Sequence, residues 1–298
     1  MSYFNRSAQL TLFDVPVTEP IVNVASVPQR SPFRYPGGKT WLVPHARRWL
    51  LHLDFRPQVL IEPFAGGAII GLTAAFEQLA DRVILVECDD QVAAVWNTIL
   101  SEDNEWLAQR ILSFELTREN VLVELAKSTS STRQFAFQAI LKNRTFHGGI
   151  MAPGSSLIKH GENGKGLASR WYPGTLARRI RSIAHVRRRI SFIQGDGLDV
   201  IGKYAEQQRT AFFIDPPYTA GGKKAGTRLY VHYELNHDGL FRVVQQVVGD
   251  VLMTYDYAEE VLLLAARHGF HTRTVTMKNT HHTRMTELLI GRDLRWVD

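Results

Sequence analysis

The stretch Ala211-Phe212-Phe213-Ile214-Asp215-Pro216-Pro217-Tyr218 decides how this chain is read. An unbroken apolar run of this kind fits a strand buried on both faces, as in a parallel sheet. Two prolines directly after it stop the sheet, because neither can donate a ladder hydrogen bond. The chain therefore leaves at the carboxyl end of the strand with restricted backbone freedom. That exit presents the Asp215 carboxylate and the Pro216 carbonyl side by side, with the Tyr218 ring just beyond. Two fixed acceptors and a flat ring suit an exocyclic amino group, which has two N–H bonds to give and a planar base to stack. Taken alone, the same residues would also make a proline-rich turn with an incidental capping aspartate.

Working outward, apolar runs alternate with amphipathic stretches. Residues 58–61, 82–86, 189–193, 211–214 and 250–253 read as strands, and 68–79, 91–100 and 237–247 as helices. Such alternation implies crossover connections and a mostly parallel sheet covered on both faces. Ligands of such sheets bind beyond the carboxyl ends of the strands. At the first end stands Glu62-Pro63-Phe64-Ala65-Gly66-Gly67, where glycines at a strand-to-helix turn let backbone approach a ligand closely. The second strand closes on Glu87, followed by Asp89 and Asp90. An acid there accepts ribose hydroxyls in nucleotide-binding units, and an exposed acidic turn is the plainer alternative. Gln194-Gly195-Asp196 sets a further carboxylate at a strand end.

The alternation breaks across 101–188. Helical segments at 106–116, 119–127 and 133–143 precede an irregular, glycine-rich stretch at 145–174, a length of loop usually functional or mobile in a compact domain. The 298 residues lie near the upper limit for one core. We therefore expect a main domain of 32–100 and 189–298, an inserted lobe at 101–188, and a flexible tail at 1–31. A net charge of +6 favours a polyanionic partner. Arginines crowd residues 170–189, where Leu176, Ile180 and Ile183 form an apolar helical stripe that throws Arg178, Arg181 and Arg188 toward other faces. Those arginines read as phosphate-binding or as a solvated face. Lys223 and Lys224 follow two glycines in a basic loop. A single cysteine, Cys88, excludes an internal disulfide, suits a reducing cytoplasm and reads as a small buried thiol. No apolar run approaches the roughly 20 residues that span a bilayer, so no membrane association is expected. The amino-terminal residues do not read as a secretory signal. His232, His237, His281 and His282 have no recognised ligand spacing; they read as polar surface or nucleic-acid contacts, and no metal is expected.

In order and content, these motifs resemble the Dam-type (D12 class) DNA adenine methyltransferases, from about Pro32 onward. Arg34-Tyr35-Pro36-Gly37-Gly38-Lys39 matches the family's amino-terminal cofactor motif, and Glu62 to Gly67 its glycine-rich loop. Glu87 falls at its ribose-binding acid, Asp196 at its cofactor-adenine contact, and Asp215 to Tyr218 at its catalytic motif. Asn143-Arg144-Thr145-Phe146-His147-Gly148-Gly149 resembles its Asn-Arg-aromatic loop, and Arg284 to Ile290 its final strand.

The resemblance implies an α/β fold: the Rossmann-like, seven-stranded, mostly parallel sheet of class I S-adenosylmethionine-dependent methyltransferases, with a mainly helical DNA-recognition lobe inserted. It implies S-adenosyl-L-methionine as cofactor, bound by Tyr35, Pro36, Gly38, Lys39, Glu62, Phe64, Ala65, Gly66, Gly67, Glu87, Asp196 and Asp215. Catalysis falls to Asp215, Pro216, Pro217 and Tyr218. Double-stranded DNA falls to Asn143, Arg144, Arg178, Arg181, Arg188, Lys223 and Lys224. The implied reaction moves a methyl group to N6 of a flipped-out adenine. The chain departs from the family at Ala68, where a second glycine is usual, and at Glu87, where Asp is more common. Rival readings keep the fold and change the target to cytosine N4, RNA or a protein amide, or make the chain a non-catalytic DNA-binding relative. A cognate restriction endonuclease is a further partner to expect, with a monomer as the default state.

One tail motif is separate. Gln9-Leu10-Thr11-Leu12-Phe13 resembles the short peptide by which bacterial replication and repair proteins dock into the sliding clamp. Gln9, Leu10, Leu12 and Phe13 would be its contacts, with the apolar pair filling a pocket on the partner. Packing on the protein's own surface is the alternative.

Overall fold

The computed structural model describes residues 26–34, 38–161, 164–217, 235–278 and 284–297. The expected tail peptide (Gln9, Leu10, Leu12, Phe13), Tyr35, Pro36, Tyr218, Lys223, Lys224, His232, His281 and His282 lie outside them.

Val59–Glu62 (β1), Arg82–Glu87 (β2), Ile190–Gln194 (β3), Thr210–Ile214 (β4), Asp250–Asp256 (β5), His271–Lys278 (β6) and Arg284–Gly291 (β7) form one sheet. Its order is β3-β2-β1-β4-β5-β7-β6. The first five strands run parallel, and β7 enters antiparallel between β5 and β6. This is the mostly parallel, Rossmann-like sheet expected from the motif order. Strand order reverses between β1 and β4, which opens a crevice at their carboxyl ends.

Period-two alternation sorts the strands into two apolar layers. Leu60, Val83, Leu85, Phe213, Leu252 and Leu289 join one layer, and Ile61, Ile84, Val86, Phe212, Met253 and Ile290 the other. Both Phe212 and Phe213 are buried because each meets a different layer. The first layer is covered by Val43–His52 (α1), Ile69–Glu77 (α2) and Asp90–Leu100 (α3). The second lies under Gly197–Lys203 (α8), His237–Gln245 (α9) and Glu259–Arg267 (α10).

The segment between β2 and β3 continues from α3 into Asn104–Ser113 (α4), Arg118–Leu125 (α5), Thr132–Thr145 (α6) and Pro173–Val186 (α7). Leu107, Phe137, Ile140, Leu141, Leu176, Ile180 and Ile183 share one contiguous apolar cluster with Val95, Trp96 and Ile99 of α3. The helical insertion is thus fused onto one face of the sheet. The stretch 145–174 is irregular as expected, but Met151, Leu157 and Trp171 anchor it in that same cluster. Val27, placed in the tail by sequence, is buried there too. Among the described residues, no helix is long and apolar enough to cross a membrane.

Candidate active site at the carboxyl edge of the sheet

β1 ends on Glu62, which is buried and accepts a hydrogen bond from the Gly71 N–H at 2.7 Å. A Cβ at Gly71 would lie 2.6 Å from that carboxylate and 2.7 Å from Leu85, so only glycine permits this approach. Burial holds the Glu62 carboxyl well above the usual carboxylate range, opposed by the Gly71 N–H and reinforced by Asp215.

The turn after β1 is sharp. Gly66 has φ +44°, and Ala68, at the start of α2, sits in the left-handed region with φ +50°. The alanine standing in place of the usual glycine therefore carries a conformation that glycine adopts without cost. The Gly66 N–H donates to Glu87 Oε2 at 3.0 Å, and the Cys88 and Asp89 N–H groups donate to Glu87 Oε1 at 2.9 and 3.1 Å. Three backbone donors fix this carboxylate, yet burial still raises its pKa. The Cys88 thiol also points at Oε1, at 3.7 Å, whereas Oε2 takes only the Gly66 N–H among the described donors, so that oxygen keeps acceptor capacity toward a ligand. Asp89 accepts from Gln91 and Val92 and caps α3. Asp196, exposed, accepts from the Leu198 N–H at 2.6 Å and caps α8. Beside it, a Cβ on Gly197 would lie 2.5 Å from the Pro63 carbonyl, so the β3 exit packs tightly on the glycine-rich turn. Phe64 is half-buried, Ala65 and Gly66 are buried, and Gly67 is half-buried.

Cys88 corrects one expectation. It is exposed, not buried. Partial enclosure and the adjacent Glu87 carboxylate push its thiol up to about 12, which leaves it protonated and a poor nucleophile near neutrality.

Across the crevice the acids are held by side chains. Asp215 leaves β4 with its Oδ1 accepting from the Thr254 hydroxyl at 2.8 Å. Register explains the contact: Ile214 pairs with Met253, which brings the next residues of β4 and β5 together. The Lys39 ammonium, buried in the turn Lys39–Leu42, lies 3.3 Å from the same Asp215 oxygen and 3.1 Å from Glu287 Oε2 on β7. Glu287 is buried, and its carboxyl is raised to about 7. Burial is the main cause, opposed by Lys39 and reinforced by Asp215 and Asp256. Behind this group, the buried Tyr255 hydroxyl lies 3.0 Å from His237 Nδ1. Burial and Asp215 hold the Tyr255 phenol far above its usual range, and burial lowers His237. His237, expected as polar surface, is thus tied to the interior. Pro216 is buried and Pro217 half-buried, consistent with a fixed exit from β4.

Two expected DNA contacts sit elsewhere. Asn143 is fully buried: its Oδ1 accepts from the Arg34 N–H, and its Nδ2 donates to the Arg34 and Gly149 carbonyls, all at 2.9 Å. Arg144 is buried and donates to the Pro32 carbonyl. Burial and the neighbouring Arg179, Arg34 and Arg170 lower its guanidinium to about 9. Both side chains clamp the segment leading into Lys39 onto α6 and are buried. Arg178 and Arg188 are exposed, whereas Arg181 forms a two-bond pair with Glu105 at 2.7 and 2.9 Å. Gly38, next to Lys39 in the chain, is exposed.

Sequence reasoning missed Thr254, Tyr255 and the role of Glu287. The available signal for Glu287 was a carboxylate inside an otherwise apolar strand. Among the described residues no cluster of His, Cys, Asp and Glu could hold a metal ion.

No protein-family model and no curated protein matches this chain. Its structure is similar to an rRNA methyltransferase from Streptomyces viridochromogenes, at 15% identity and a TM-score of 0.42, covering 87% of each chain. It is also similar to a methyltransferase from Geobacter sulfurreducens, at 13% identity and a TM-score of 0.40, covering 92% of this chain and 98% of that one. A spermidine synthase from Thermotoga maritima resembles it at 10% identity and a TM-score of 0.39, covering 86% of this chain and 59% of that one. Likenesses this loose assign no function, and the fold assignment stands on strand order and direction.

Proposed function

We propose that this chain is an S-adenosylmethionine-dependent methyltransferase acting on N6 of adenine in DNA. The observation that carries this is Asp215: a carboxylate at the crevice between β1 and β4, followed by two prolines and anchored by Thr254 and Lys39. The residues present fit the cofactor. Gly66 in a left-handed turn, with Gly197 packed against the neighbouring Pro63 and Phe64, leaves a close backbone cradle beside Glu87, whose Oε2 retains acceptor capacity for a ribose diol. Glu87, Asp215, Asp256 and Glu287 stand at this edge with Lys39 as the buried cation beside Asp215 and Glu287. Such an edge favours a ligand carrying positive charge, as a sulfonium with an α-ammonium does.

When bound, the cofactor supplies an electrophilic methyl group. The chain's own part is to prepare the amine. An adenine amino group is a poor nucleophile because its lone pair is delocalised into the ring. The Asp215 carboxylate and Pro216 carbonyl accept its two N–H bonds and draw the nitrogen toward a tetrahedral geometry. Alignment then provides most of the acceleration. Asp215 is also the adjacent base able to take the proton that the nitrogen sheds after transfer. Tyr218 would stack on the extruded base. Arg178 and Arg188 supply phosphate contacts from α7 and the turn after it. The peptide Gln9 to Phe13 extends the proposal to a sliding-clamp partner.

Incubating the protein with labelled S-adenosylmethionine and unmethylated DNA, then analysing nucleosides, tests the assignment. N6-methyladenine at one short site is expected. Label in N4-methylcytosine, in RNA only or in protein only would overturn the adenine assignment, and no turnover on any of them would leave a DNA-binding relative.

A further inference from the structure

We propose that Glu287 is a positioning residue for methyl transfer: by holding the Lys39 ammonium, it keeps that cation from neutralising Asp215. This rests on Asp215 being the acceptor for the substrate amine.

The geometry comes from three distant parts of the chain. Lys39 lies between two carboxylates, 3.3 Å from Asp215 Oδ1 and 3.1 Å from Glu287 Oε2. On β7, Glu287 shares the face of Leu289, which belongs to the apolar layer under α1 to α3. A carboxylate in such a layer is costly unless paired. An apolar residue would pack there more favourably, and Lys39 would then face Asp215 without the second carboxylate.

That alternative shows what Glu287 does. A buried one-to-one pair of lysine and aspartate is neutral, and the ammonium draws electron density from the oxygen that the substrate needs as acceptor. With two carboxylates on one lysine, the group carries a net negative charge. Asp215 then keeps its strength as an acceptor, while Lys39 and Thr254 fix its orientation.

The arrangement is sensitive to pH. The charged groups facing Glu287 are Lys39 from the turn before α1, Asp215 from the β4 exit and Asp256 from β5. From β6 its register partner is the uncharged Val275. Burial and the two aspartates outweigh Lys39, so Glu287 takes up a proton near neutrality. Once protonated, it no longer balances the ammonium, whose charge then falls on Asp215. Methyl transfer should therefore rise as pH increases through about 7.

The full-length chain carrying Glu287→Gln tests this. We expect kcat to fall roughly ten- to hundredfold, the scale of one lost interaction with a charged group. KM for S-adenosylmethionine should change little, and the acid limb of kcat should disappear. Glu287→Asp, which keeps the charge, should restore part of kcat together with the acid limb. Thermal unfolding of Lys39→Met, Glu287→Gln and the double variant tests the pairing without turnover. The double variant should melt above Lys39→Met, because it no longer buries a second carboxylate lacking its cation. Additive melting shifts, or a wild-type kcat and pH profile in Glu287→Gln, would overturn the inference. A wild-type chain that transfers no methyl group would instead overturn the proposed activity, and the catalytic role with it, while the melting cycle still decides the pairing.

Discussion

The two halves of the carboxyl edge, on either side of the break between β1 and β4, hold their acids by different means. On the β1–β3 side, Glu62, Glu87 and Asp196 accept hydrogen bonds from backbone N–H groups of Gly71, Gly66, Cys88, Asp89 and Leu198. On the β4–β7 side, Asp215 and Glu287 are held by the side chains of Thr254 and Lys39. Backbone donors survive any substitution that leaves the turn intact, so the first half is a pre-set cradle. Side-chain donors can be removed one at a time, and the charge they carry can titrate. The second half is where one substitution or one proton should change chemistry.

The sharpest way to break that contrast is Asp215→Ala. Methyl transfer should fall by about a thousandfold or more, as when a principal polar group of a reaction centre is deleted, while gel-shift affinity for DNA persists. Lys39→Met should come next. It strands two acids beside each other and should cost on the order of 3–5 kcal/mol in denaturant unfolding at pH 8. The loss should shrink toward pH 6, where Glu287 takes up a proton.

The same carboxyl predicts a pH trend in the wild type. Its folded pKa, about 7, lies above the ordinary 4.5, so the native state binds this proton more tightly than the unfolded chain does. The resulting contribution is complete below about pH 4.5. It is lost as pH rises to about 7, by something on the order of 3 kcal/mol. Urea unfolding at a series of pH values, in wild type and Glu287→Gln, should show this component only in the former.

On the other side of the break, Glu87→Ala orphans three backbone donors and should cost about 1–3 kcal/mol. Cofactor affinity should weaken with it, and the pH profile of kcat should keep its shape. An altered profile would erase the distinction between the halves. The smallest effect is expected at Ala68→Gly, where relief of a left-handed backbone should gain up to about 1 kcal/mol, partly offset by the freedom glycine adds to the unfolded chain.

How legible each region was follows from its physics. The strands β1, β2 and β4 were readable because VLIE, RVILVE and TAFFI are nearly continuous apolar runs. β6 was not: in His271–Lys278 only Val275 is buried among the described side chains, so no alternation marks it. The acids at the strand ends could be located by position alone. The role of Glu287 could not, because its partner Lys39 lies 248 residues away. Asn143 and Arg144 mark the opposite limit. A local motif suggested ligand contact, but their bonds to Arg34 and Pro32, 109 and 112 residues distant, turn them inward.

The entry of β7 between β5 and β6 has a consequence for how the protein comes into being. Five parallel strands, the helical insertion and Lys39 all precede β7 in the chain, so a ribosome completes them first. Pairing across such sequence separations is slow, and growing domains tend to order from the amino end. A nascent chain can therefore assemble its cradle and its basic helix while Lys39 still lacks Glu287. Glu287 reaches Lys39 and Asp215 only as a late event, when the β6–β7 hairpin docks β7 against the open edge of β5.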